Sequence, residues 1–190
     1  MFTTAWCDPI DSLHTTRIAH VKRIYLLRHG KSDWGADYGS DHDRPLKNRG
    51  VRDARLMGHF LSATDQVPDA IVSSSAVRAL TTARLAAEAG RWGCEARVEP
   101  AIYGATRDTV LEVIRGLDAD LDSVLLAGHQ PTFSDVTSSL LGAAQIRFPT
   151  AALACIDVPV ARWDAVEFGR GMLVWFVTPK LLAGAGLGGA

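Results

Sequence analysis

Short apolar runs alternate with segments of helical period along most of this chain, and that alternation leaves few folds open. The runs Arg23 to Leu27, Ala70 to Ser73, Ala96 to Val98, Ser123 to Ala127, Leu153 to Val158 and Leu173 to Val177 read as strands. Several are apolar throughout, as strands covered on both faces tend to be. The pattern is that of an α/β protein with one central sheet.

The intervening segments carry helix signals. A first helix is expected from Asn48, a good N-cap residue, with Val51, Ala54, Met57, Phe60 and Leu61 forming one inward stripe. A second starts near Ala76, turns Val77, Leu80 and Ala83 inward and stops at Gly90. Thr106 caps a third with Val110, Ile114 and Leu117 buried, and a fourth opens at Pro131 or its neighbours, buries Phe133, Val136 and Leu140, and ends before Gly142.

At 190 residues, 47% of them hydrophobic, the chain can bury one sizeable core, and no linker or repeat divides it. One domain is expected over residues 21–182, with a flexible extension at 1–20 and a flexible Gly/Ala tail at 183–190. A net charge of -1 gives no bulk attraction to nucleic acid or to an anionic membrane, so an anion site must be local. Cys7, Cys94 and Cys155 are odd in number and form no CxxC pair, which argues against a disulfide framework and a structural zinc site. The first twenty residues lack both the apolar core of a signal peptide and a membrane span, so a cytoplasmic protein is expected.

Chemistry gathers where three strands end. The first ends in Arg28-His29-Gly30, the second runs into "SSSAVRALTTA" with Arg78 one turn into the next helix, and the fourth ends at "AGHQPT" with His129. In open α/β sheets ligands bind beyond the carboxyl ends of the strands, where helix N-termini favour anions. Two guanidiniums and two imidazoles in one pocket repel one another unless an anion sits between them. A phosphoryl group fits, because the Arg fork matches its oxygens and a neutral imidazole attacks phosphorus without an outside base. Either histidine can then be the nucleophile, the other donating to the phosphoryl oxygens, while Gly30 lets the backbone approach.

These residues resemble the histidine phosphatase superfamily, the phosphoglycerate mutase-like fold, and within it the short SixA-type phosphohistidine phosphatases. The stretches "LLRHGKSDW", "DRPLKNRG", "VSSSAVRALTTA", "LLAGHQPT" and "FPTAALACIDV" occur in that subfamily's order, and the match spans Lys22 to Leu182. The resemblance implies a three-layer α/β/α sandwich around a mostly parallel mixed sheet. It also implies a metal-independent phosphatase without a cofactor, with His29 as the phosphorylated nucleophile and Arg28, Arg78 and His129 completing the catalytic and substrate-binding set. Its partner would be a phosphorylated protein such as a histidine phosphotransfer domain, or a small phosphorylated molecule; the oligomeric state is left open.

One departure is informative. Larger relatives acting on phosphate esters carry a Glu after the third strand, or an Asp directly after the second catalytic histidine, as general acid. Here those places hold Tyr103, Gly104 and Ala105, and Gln130. An alkoxide is a poor leaving group without a proton, whereas a phosphohistidine protonated on its other ring nitrogen releases neutral imidazole, whose conjugate acid has a pKa of about 6.5. The missing carboxylate favours phosphohistidine, with Asp33, Asp43 or Glu99 as substitute acids if the substrate is an ester.

The remaining polar residues have plainer readings. Asp41, His42 and Asp43 read as a solvated loop rather than a metal site. Arg44 either helps bind substrate at the pocket rim or pairs with Asp41 or Asp43. Lys31 and Ser32 read as turn residues, Thr150 as structural, and Trp34, Trp92, Trp163 and Trp175 as core or edge packing. Two alternatives stay open beside the phosphohistidine phosphatase: a small-molecule phosphomonoesterase of the same superfamily, and a non-catalytic phosphate or phosphoprotein binding module.

Overall fold

A computed structural model of the chain describes residues 20–143 and 145–186. Most of the expected N-terminal extension, with Cys7, and the last four residues of the expected tail lie outside the described residues.

The six expected strands form: β1 (Lys22–Arg28), β2 (Ala70–Ser73), β3 (Ala96–Val98), β4 (Ser123–Gly128), β5 (Leu153–Val158) and β6 (Met172–Val177). They make one sheet in the order β3-β2-β4-β1-β5-β6, parallel from β3 to β1 and antiparallel at β5 and β6. The helices are α1 (Asn48–Ala63), α2 (Val77–Gly90), α3 (Arg107–Arg115), α4 (Thr132–Leu141) and α5 (Pro179–Gly184).

Side-chain alternation along each strand divides the interior into two cores. Ile24, Leu26, Val124 and Leu126 pack with Val110 and Ile114 of α3 and Phe133, Val136 and Leu140 of α4. Tyr25, Leu27, Leu125 and Ala127 face the other way, onto Met57 and Leu61 of α1, Ala83 and Ala86 of α2, and Leu182 of α5. Helices thus cover both faces of the sheet, giving the expected three-layer α/β/α sandwich around a mixed sheet. Among the described residues no helix is long and apolar enough to cross a membrane.

Three helix readings need correction. The N-cap of α1 is Lys47, with Asn48 already its first helical residue. On α2, Val77 is exposed and Leu80 only half-buried, while the inward face carries Arg78, Ala79, Thr82, Ala83 and Ala86. The helix lies so close to its neighbours that small residues win the buried face. Its left-handed stop is Arg91 at φ 55° rather than Gly90. Gly90 is instead required by close packing, for a Cβ there would lie 2.8 Å from the carbonyl oxygen of Gly58.

Register decides where the site forms. Arg28 pairs with Gly128 and Ser73 with Ala127, so β1, β4 and β2 end level with one another. α1 leaves β1 toward one face and α4 leaves β4 toward the other, which opens a crevice between these adjacent strands at their carboxyl ends. Glycine contacts hold α1 against this edge: a Cβ on Gly30 would lie 2.7 Å from the carbonyl oxygen of Gly50, and a Cβ on Gly50 would lie 2.7 Å from the amide nitrogen of Lys31. Both obstacles are backbone, so neither can yield by a rotamer change. Gly50→Ala is therefore expected to lower the unfolding free energy by about 1–3 kcal/mol, as overpacking does, measurable by urea denaturation.

Candidate active site

The crevice holds the four residues expected there. His29 follows β1 and His129 follows β4, their ring centroids 5.3 Å apart and both side chains buried. Their backbones are stitched across the strand ends, His29 N–H donating to the Gly128 carbonyl at 3.0 Å. Arg78 comes from the first turn of α2 and Arg28 from the last residue of β1.

His29 has a defined tautomer. Its Nδ1 lies 2.7 Å from the carbonyl oxygen of Gly30, which can only accept, so Nδ1 carries the proton and the Nε2 lone pair is free. The turn is fixed in place by Thr82, whose hydroxyl accepts the Gly30 N–H at 2.9 Å and donates to the Arg78 carbonyl at 2.6 Å. Thr82 so ties α2 to the turn that carries His29.

Burial and charge keep both imidazoles neutral. Desolvation is the main cause that lowers His29 to about 3; the bond to Gly30 opposes it, and the charges of His129, Arg78 and Arg28 lower it further. His129 is lowered to about 4, again mainly by desolvation, with Arg78, Arg28 and Arg44 adding to the effect against the opposing charge of Asp41. Desolvation also lowers Arg28 from its ordinary value.

Sequence reading missed the groups that hold these side chains. The chief one is Asp41, in a short 3-10 turn (Asp41–Asp43). Its Oδ2 takes Arg78 at 3.0 Å and its backbone carbonyl takes the same guanidinium at 2.6 Å, while its Oδ1 pairs with Arg44 at 2.9 Å. One carboxylate thus braces two arginines. Arg44 is buried, donates to the Ser32 hydroxyl as well, and lies under the Trp34 ring at 3.7 Å. Pairing with Asp41 is the arrangement observed for Arg44, and Trp34 is exposed at 67% rather than packed in the core.

Two further groups frame His129. The Ser74 hydroxyl lies 2.8 Å from its Nε2, and the Tyr103 ring meets the imidazole edge-on at 5.7 Å. A run of three serines at the end of β2 was the available signal for the first; the signal for the second was its place after the third strand, where larger relatives carry the Glu. His42 rests on Tyr103 at 4.9 Å and lies 2.9 Å from the Ser75 hydroxyl, and Asp43 holds Ser40. Asp41, His42 and Asp43 therefore each have protein partners.

Three polar atoms of the crevice, Arg28 Nε, Arg78 Nε and His129 Nδ1, are buried without a hydrogen-bond partner among the described residues. Buried polar groups in proteins are usually satisfied. An oxyanion with several acceptor oxygens matches two guanidinium donors and an imidazole converging in this way. A separate 720 Å³ cavity lined by Leu56, Phe60, Ala89 and Arg91 lies at the far ends of α1 and α2.

The carboxylates considered as proton donors are committed elsewhere. Asp33 accepts the Gly35 N–H at 3.0 Å and pairs with Lys47 at 3.2 Å, and the Gly35 bond is the main cause that lowers it from its usual range. Asp43 is lowered chiefly by its bond from Ser40. Glu99 caps a 3-10 turn by accepting the Ala101 N–H at 3.2 Å. For Asp41, desolvation raises the pKa, but the bond from Arg44 and the charge of Arg78 outweigh it and leave the group lowered.

Comparison with known proteins gives a consistent result. The model of the histidine phosphatase superfamily (branch 1) matches residues 24–103. The uncharacterized protein Rv1276c of Mycobacterium tuberculosis is 37% identical over 165 residues, spanning 81% of this chain and all of that protein. The structure of a protein of Agrobacterium tumefaciens provisionally named phosphohistidine phosphatase SixA is 30% identical, with a TM-score of 0.71 over 83% of this chain and 98% of that one. A structure of the protein histidine phosphatase SixA complexed with tungstate superposes with a TM-score of 0.73 at 24% identity over 84% of this chain and 99% of that one.

The two depressed histidines make stability pH-dependent with a definite sign. Below the unfolded value of about 6.5 the unfolded chain takes up protons that the folded imidazoles refuse, so stability falls as pH drops from about 6.5 toward the folded values near 4 and 3. Urea denaturation across that range is expected to show this loss, and His129→Asn is expected to reduce its slope.

Proposed function

The chain belongs to the histidine phosphatase superfamily, and from that premise we propose that it removes phosphate from protein phosphohistidine, of the phosphotransfer-domain type, through a phosphohistidine formed on His29. In the first step the free Nε2 lone pair of His29 attacks phosphorus. The bond from phosphorus to the substrate nitrogen breaks, and its electron pair stays on that nitrogen. With its other nitrogen protonated, the substrate ring leaves as neutral imidazole. Water then attacks the phosphoryl group, the Nε2–phosphorus bond breaks with its electrons returning to Nε2, and inorganic phosphate departs. Arg28, Arg78 and His129 hold the equatorial oxygens through both steps, so catalysis is positioning and electrostatic stabilisation.

The state of the carboxylates carries the choice of substrate. Asp33, Asp41 and Asp43 are all lowered by their partners and are poor proton donors at neutral pH. Glu99 spends its side chain on a backbone N–H. An ester needs a donor for its departing alkoxide; a protonated phosphohistidine does not.

Labelling with a phosphohistidine protein, quenched in alkaline detergent because the P–N bond is labile in acid, is expected to trap phosphate on the wild type and none on His29→Ala. Replacing Asp33, Asp43 or Glu99 by its amide is expected to leave phosphohistidine turnover within about threefold. A drop of roughly a hundredfold in ester turnover at one of them, which is the size of a lost general acid, together with preference for an ester at equal concentration, would assign the chain to small-molecule esters instead.

A further inference from the structure

The loop between the catalytic turn and α1 is a built platform. Residues 31–33 run antiparallel to 45–47: Ser32 bridges to Leu46, the Asp33 N–H donates to the Pro45 carbonyl at 2.8 Å, and the Lys47 N–H donates to the Lys31 carbonyl at 2.8 Å. This ribbon begins one residue after Gly30, so whatever touches it lies beside the phosphoryl pocket. Trp34 stands at its tip, exposed at 67%, on the buried Arg44 guanidinium. Arg44 is in turn fixed by Asp41, which grips Arg78. The indole is held by a rigid chain of contacts that ends in the pocket wall.

The flank of the ribbon is cationic although the whole chain is slightly acidic. Lys31, Lys47, Arg49 and Arg52 are exposed there, and Lys47, Arg49 and Arg52 line a cavity of 320 Å³ with Asp33 and Leu46. Lys47 pairs with Asp33 and Arg49 with Asp53; Lys31 and Arg52 pair with no carboxylate among the described residues. Two uncompensated cations beside a braced, exposed tryptophan have the composition of a protein-binding hot spot. A small phosphorylated molecule held in the pocket has no use for a surface of this extent.

We propose that the ribbon 31–47 and the first two turns of α1 form the docking surface for the protein substrate. It receives a partner whose phosphohistidine is flanked by acidic residues and by an apolar patch that covers Trp34. The proposal rests on the phosphohistidine reading and specifies which partner that reading requires. Cations at the rim steer an acidic partner to the pocket, and the indole supplies the apolar anchor.

The test compares a phosphohistidine protein having acidic residues near its phosphorylated histidine with free phosphoimidazole, which needs no docking surface. For the double variant Lys31→Glu/Arg52→Glu, and separately for Trp34→Ala, the ratio of kcat/KM for the protein to that for phosphoimidazole is expected to fall by about tenfold or more, as for lost interface anchors. Raising ionic strength is expected to raise KM for the protein in the wild type, with a weaker effect in the double variant. An unchanged ratio in both variants would overturn the docking surface, as would inhibition by an oligonucleotide as strong as that by the dephosphorylated protein. If the wild type turns over neither phosphohistidine substrate, the proposed function itself fails; the two failures are therefore distinct.

Discussion

Several cationic groups are forced together at one sheet edge, and much of the local structure serves to contain their repulsion. Arg78, Arg28 and Arg44 all act on the buried His129, and the first two act on His29 as well. Two responses are visible. The imidazoles stay neutral, which removes two positive charges, and Asp41 is set between Arg44 and Arg78 as a fixed counter-charge. Breaking one member of such a partly buried group strands the others, which is why it behaves as a unit.

Containment also fixes direction. A guanidinium gripped by both the carboxylate and the carbonyl of Asp41 cannot swing, so Arg78 presents its remaining donor edge in one orientation. His29 is similarly constrained by its bond to Gly30 and by Thr82 beneath that turn. The site is thus arranged before substrate arrives, and little reorganisation is left for the reaction itself.

Strand ends and residue types made the four central residues legible in the sequence, because an apolar run that stops at Arg28-His29 is costly without a compensating role. Helices whose buried stripe is large and apolar were legible too: Val110 and Ile114 on α3, and Phe133, Val136 and Leu140 on α4, all point inward as their spacing predicts. α2 was misread because its inward face carries Arg78, Thr82 and three alanines, so hydrophobicity pointed to Val77 and Leu80 instead. Trp34 ran against the packing expectation for a different reason: a cation beneath the ring lets an exposed indole keep a fixed position.

By itself, the sequence determined the strand and helix pattern, the class of fold, and which side chains have the chemistry to meet a phosphoryl group; these follow from periodicity and from functional groups, both local properties. The partners of those side chains were decided only by tertiary structure. Asp41 lies 37 residues from Arg78 and Ser74 lies 55 from His129 in the chain, and they meet because the parallel register of β2, β4 and β1 ends three strands at one level. The ion pair of Asp33 with Lys47 and the exposed Trp34 beside the pocket have the same origin, whereas the tautomer of His29 and the bonds of Asp43 and Glu99 are made with residues no more than three positions away. A contact between distant residues depends on the path of the whole chain, and no short stretch of sequence contains it.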